Sequence, residues 1–189
     1  MSESKTVLLA MDFQQGIVER LPDAHGVLAA ASCAVAAART AGIPVFFVRV
    51  AFRPGYPEVA TSNRAFSGTA QHAGDTMTQD HPATRLHPDL ERRDDEPVIT
   101  KRRVSAFTGS DLEVLLRGAG ADTIVLSGIA TSGVVLSTLR QAADLDYRLV
   151  VLQDACADRD PEVHRVLTEK VFPRQAMVTT TDEWIDDLG

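Results

Sequence analysis

The sequence predicts a doubly wound α/β fold, a parallel sheet with helices on both faces. Three observations predict it. Short β-branched runs alternate with helical stretches along the chain. The runs are near-continuously apolar rather than alternating, as expected of strands covered on both faces. Several helical stretches carry their own start or stop residues. The first strand is "KTVLLAMD" (5–12). An Ala-rich segment, 24–42, closes on Gly42 and reads as a helix with a C-terminal stop. "IPVFFVRVAF" (43–52) is the second strand and "PVITK" (97–101) the third. A helix over 109–121 leads into strand four, "DTIVLSG" (122–128), whose own helix runs from about Val134 to Leu145. "YRLVVLQDA" (147–155) is strand five. Asp160 then Pro161 form an N-cap and first-turn pair for a helix over 160–172. "QAMVTTT" (175–181) is strand six, and "DEWIDDL" a terminal turn of helix.

The 189 residues suffice for one sizeable core, so one domain over 1–189 is expected. Hydrophobic residues are 44% and charged residues 24%, the balance of a soluble globule. A net charge of −7 disfavours nonspecific binding to nucleic acid or an anionic membrane. No apolar run approaches the ~20 residues that span a bilayer. No basic region precedes the first apolar run, which ends in Asp12, so it reads as a strand and not a signal peptide. Cys33 and Cys156 lie far apart without metal-type spacing, which points to free thiols in a reducing cytoplasm.

One region breaks the rhythm. Residues 53–96 are rich in Pro, Gly and polar residues, and loops this long are usually functional or mobile. Following strand two, this insertion should overhang the carboxyl edge of the sheet, where open α/β sheets bind ligands. Strand one ends there at Asp12, followed by Phe13 and Gln14; strand three ends at Lys101. Strand four ends in the small-residue turn "GIATSG". Each residue alone has an ordinary structural reading. Asp12 could be a turn former, Lys101 a solvated lysine, and Asp154 a fixer of the loop after strand five. Together, an acid, a lysine and an N–H-rich turn at one crevice form a candidate site.

The stretches "LLAMDFQ", "VITKRRVSAFTGSDLEVLLRGAGADTIVLSGIATSGVV" and "VVLQDACADRDPEVH" resemble the isochorismatase-like hydrolase superfamily from about Thr6 to Thr180. The resemblance implies a six-stranded parallel sheet of order 3-2-1-4-5-6. It places the family's catalytic acid at Asp12 and its lysine at Lys101. The cis peptide and oxyanion-hole turn fall at Ile129–Ala130, with Gly133 in the same turn. Amide-hydrolysing members carry a cysteine three residues after the threonine of this turn. Counted from Thr131, that position is Val134, which can neither attack nor release a proton. The paired metal ligands of the nicotinamidase branch have no counterpart in "VRVAFRPGYP", and His72, His81, His87 and His164 read as scattered surface histidines. No metal and no cofactor are expected. Ser132 and Ser137 have no identified base, and Cys156 reads as a small buried thiol. Cys33 is placed on a packing face.

Isochorismatases of the superfamily also lack the cysteine, and hydrolyse a vinyl ether by general-acid chemistry. The expected function is therefore hydrolysis of a small molecule through Asp12 and Lys101. The alternative is a non-catalytic binding protein that keeps the pocket. Phe13, Phe52 and Phe107 could form an apolar pocket wall, with Gln14 and Ser132 as polar neighbours. Arg49, Arg53, Arg64 and Arg102 could bind a carboxylate. Lys101 would lower the pKa of Asp12 and burial would raise it; an ionised Asp12 would act as a base for water. A homo-oligomer is expected, with the insertion closing a neighbour's pocket.

Overall fold

The computed structural model describes residues 5–189. The signal-free reading of the chain start rests partly on residues 1–4, which lie outside the described residues. Six strands form one all-parallel sheet: β1 (Thr6–Met11), β2 (Val45–Val50), β3 (Val98–Lys101), β4 (Thr123–Ile129), β5 (Arg148–Ala157) and β6 (Met177–Thr179). Their order is β3-β2-β1-β4-β5-β6, the expected α/β architecture. The order reverses direction between β1 and β4, so a crevice opens at the carboxyl ends of those two strands.

Successive β1 side chains point to opposite faces. Val7, Leu9 and Met11 pack with Ile124, Leu126 and Val151 beneath α4 (Leu112–Ala119) and α5 (Leu136–Asp144). Leu8 and Ala10 pack with Phe47, Val125 and Leu152 beneath α2 (His25–Thr40) and α7 (Thr181–Asp186). The α2 face is made of small residues, Ala31, Ala34 and Ala38, all buried, which lets the helix sit close on the sheet. Cys33 does not share that face; it is exposed, which corrects its sequence placement. Helix α4 ends on Gly120 in the left-handed conformation (φ 67°), the usual glycine stop.

Strand β5 runs past Asp154 to Ala157, beyond its expected end. Its register against β4 jumps from Leu126↔Val151 to Gly128↔Cys156, so two residue steps on β4 face five on β5. This bulge frees Asp154, whose Oδ1 accepts the Thr181 N–H (2.8 Å) and hydroxyl (2.9 Å) at the start of α7.

The insertion 53–96 holds structure of its own. Asn63 Oδ1 accepts the Phe66 N–H (3.2 Å) and starts α3 (Arg64–His72), and two 3₁₀ turns follow at Pro82–Thr84 and Pro88–Leu90. Gln14 pins it to the sheet. Its Nε2 donates to Val50 O (3.0 Å) and Thr84 O (3.1 Å), and its Oε1 accepts from Val50 N (2.8 Å). Arg39 on α2 grips Glu96 at the far end with two bonds, of 2.7 and 2.8 Å.

Gly128 lies beside Met11 where β1 and β4 converge on the crevice. A Cβ at Gly128 would sit 2.6 Å from Met11 O and 2.9 Å from Met11 Cβ. The first clash is with backbone, so the strands themselves must part. Gly128→Ala is expected to destabilise the fold by about 1–3 kcal/mol, the usual cost of overpacking. A denaturant titration with an unchanged slope would record it; an unchanged midpoint would contradict it.

Candidate active site

Asp12 ends β1 in the left-handed conformation (φ 58°), which an aspartate tolerates better than most residues. Its N–H donates to Val48 O (2.8 Å), so the chain turns while still tied to β2. The turn carries the carboxyl over the end of β2 towards Lys101, the last residue of β3. Lys101 Nζ stands 2.9 Å from Asp12 Oδ2 and also donates to Arg103 O (3.1 Å). Both residues are nearly closed off from water, at 4% and 2% exposure. Asp12 Oδ1 is buried and, among the described residues, has no hydrogen-bond partner. Burial pushes the Asp12 carboxyl above the ordinary aspartate value and outweighs the opposing charge and hydrogen bond of Lys101. A carboxyl held that way keeps a proton to higher pH and leaves one oxygen unengaged.

The turn after β4 begins beside this pair, since Gly128 is the register partner of Met11. The Ile129–Ala130 peptide is cis. Residues Thr131–Val135 form a single π-helical turn closed by Gly133 N and Val135 N on Ala130 O. Val134 is buried in the core beneath α4 and α5, together with Ala106 and Phe107. Ser132 is exposed, and its N–H donates to Asp158 Oδ2 (2.7 Å).

The three phenylalanines do not form one wall. Phe13 packs in the core on the α2 side and Phe107 in the core on the α4 side. Phe52 stacks with Tyr56 and Phe66 of the insertion, ring centroids 5.5 Å apart in each case. Gln14 is fully buried and spends its amide on backbone. Arg53 pairs with Glu58, and Arg102 binds Glu58, Ala51 O and Gln79. Arg49 bonds Thr100 and Gln79 O.

Sequence reading missed His164. It is not a scattered surface histidine: its Nδ1 lies 2.8 Å from the hydroxyl of Thr131, which is fully buried. Burial holds His164 below the ordinary histidine value, with Asp158 opposing. The partners are separated by 33 positions, so no local spacing signalled the contact. A cleft of about 220 Å³ is bordered by Leu21, Cys156, Arg159 and His164. Among the described residues, no group of three or more His, Cys, Asp or Glu is arranged to hold a metal.

Cys156 is buried and its thiol is pushed up to about 12, so it is not a thiolate at neutral pH. Cys33 is exposed on α2, away from the site. Alkylation with iodoacetamide is therefore expected to label Cys33 and leave any hydrolysis unchanged. Inactivation traced by mass spectrometry to Cys156 would contradict this.

The family model for the isochorismatase domain matches residues 6–183. The chain belongs to the isochorismatase family. It is similar to the uncharacterized isochorismatase family protein YecD of Escherichia coli O157:H7, at 36% identity over 97% of this chain and 96% of that protein. It also resembles the ureidoacrylate amidohydrolase RutB of Pseudomonas syringae pv. syringae (strain B728a), at 32% identity over 72% of this chain and 60% of that protein. A solved isochorismatase family structure from Burkholderia thailandensis superposes with a TM-score of 0.85, at 30% identity, covering 97% of this chain and 95% of that one. The chain is thus an isochorismatase-like hydrolase family member, and its six-stranded sheet is the family's. Among its described residues, no helix is long and apolar enough to cross a membrane.

Proposed function

We propose that this family member hydrolyses a small vinyl ether without a cysteine nucleophile, with Asp12 as general acid and Lys101 as its partner. The observation that carries this reading is the Asp12 carboxyl, engaged by Lys101 through Oδ2, unpartnered at buried Oδ1, and pushed up by burial. Asp12 transfers a proton to the enol carbon of the substrate, and the ether carbon becomes an oxocarbenium ion. Water adds to that carbon, the carboxylate recovers a proton, and the hemiketal collapses to a carbonyl compound and an alcohol. Lys101 stabilises the transient Asp12 carboxylate. No step needs a thiolate, in keeping with Val134 standing three residues after Thr131 and with the raised Cys156 thiol.

The test is a substrate panel of vinyl ethers, amides and ureides with wild type and Asp12→Asn; ureides enter because RutB is named for one. Turnover of a vinyl ether that disappears in Asp12→Asn supports the reading. Turnover of amides or ureides alone overturns the vinyl-ether assignment, and tight binding without turnover favours a non-catalytic homologue.

Self-association belongs to the same proposal. Strand β3 is an edge strand, with Val98 on it and Val104 just after it each 37% exposed. A dimer or larger is expected in sedimentation at micromolar concentration; a monomer there would contradict it.

A further inference from the structure

We infer that His164 and Thr131 form a positioning pair that fixes the turn Thr131–Val135 and so the alignment of substrate over Asp12; this rests on the reading of Asp12 and Lys101 as the reacting site. The turn's own backbone closes on Ala130 O, through Gly133 N (3.0 Å) and Val135 N (3.4 Å), and on Thr131 O and Gly133 O through Leu136 N. Val134 and Val135 pack it into the core, and its side-chain hydrogen bonds to the rest of the protein come from the segment after β5. Asp158 Oδ2 accepts Ser132 N–H at 2.7 Å, and His164 Nδ1 meets the Thr131 hydroxyl at 2.8 Å. Thr131 is fully buried, its hydroxyl makes no other hydrogen bond among the described residues, and it would be stranded without the imidazole. His164 is itself held, because its carbonyl accepts the Thr168 hydroxyl (2.9 Å) and its N–H donates to Asp160 O (3.1 Å). An imidazole carried on the backbone of α6 (Pro161–Val166) thus holds the first residue of the turn after β4.

Neither residue touches the Asp12–Lys101 pair, so their effect reaches the chemistry through the turn. A threonine hydroxyl both donates and accepts, so the bond tolerates either imidazole tautomer. The contact, and not the ring's charge, is the working element. Loss of the contact frees the turn to sample other positions, and small misplacements in a reacting site are costly in rate.

The test compares Thr131→Val, His164→Ala and the double variant with the conservative Thr131→Ser and His164→Asn, all in the full chain. Two quantities are read: hydrogen exchange of the amides over 128–136, and kcat and KM on the best vinyl ether. Thr131→Val and His164→Ala are each expected to speed turn exchange about tenfold or more. They should lower kcat by roughly 10- to 100-fold with KM within about twofold. The double variant should be no worse than the worse single, and the conservative variants should recover most of both effects. Unchanged turn exchange in His164→Ala, or singles whose effects add fully, would overturn the pair. If wild type turns over no vinyl ether, or Asp12→Asn retains activity, the site reading fails, and the exchange measurement still decides for or against the pair.

Discussion

Asp12→Asn is expected to cut kcat by about 10²- to 10⁴-fold with little change in KM, the range removed with a positioned general acid. Asparagine keeps the shape of the side chain and its place beside Lys101, so substrate binding survives while the transferable proton is lost. The pH dependence has a defined sign. Burial raises the Asp12 carboxyl, so the competent acid is present at low pH and is lost as pH rises through that raised value. Activity should therefore fall on the alkaline side, and the fall should be absent from the residual rate of Asp12→Asn. A kcat unaffected by Asp12→Asn would remove the acid from the mechanism.

The second large effect is on stability. The Lys101 ammonium is buried against Asp12 Oδ2 at 2.9 Å, and removing the partner of a buried charge typically costs about 3–5 kcal/mol. Asp12→Leu leaves the ammonium unpaired in the interior and should show that loss, a fall in Tm of roughly 6–20 °C for a chain of this size. Lys101→Met should cost less, because the carboxyl left behind is held neutral by its proton. The raised carboxyl makes that variant most stable at low pH, with stability lost as pH rises through its folded-state value. The double variant, Asp12→Leu with Lys101→Met, should recover most of the loss, since apolar side chains of similar size replace buried polar pairs well, and keep only the ~1–2 kcal/mol that leucine costs in the left-handed conformation of residue 12. Thermal melts of the four proteins at two pH values check this; a double variant as unstable as the sum of the singles would contradict it.

The sheet was legible because its strands are apolar on both faces, and a parallel sheet leaves that mark on composition alone. Asp12 and Lys101 were legible for a related reason: each is the first charged group after an apolar run, which places it at the carboxyl edge. What sequence did not show depends on contacts between distant positions. Gln14 looked like a pocket residue because it follows Asp12, yet its amide is consumed by Val50 and by Thr84, 70 positions away. Phe13 and Phe107 looked like one wall, but the sheet lies between their two cores. His164 looked like a scattered surface histidine because it has no partner at ligand spacing, and only packing of α6 on the turn reveals its bond to Thr131. The insertion read as a long loop because it is rich in Pro, Gly and polar residues, and its helix, Arg64–His72, is short and buries none of its residues fully.

The most direct measurement is a ¹³C titration of aspartate carboxyl resonances in wild type, with Asp12 assigned by its absence from Asp12→Asn. The account predicts a midpoint above the ordinary aspartate value, with a proton held against the charge of Lys101. A midpoint below that value would leave a carboxylate at neutral pH, and Asp12 could not then be the acid that protonates the substrate.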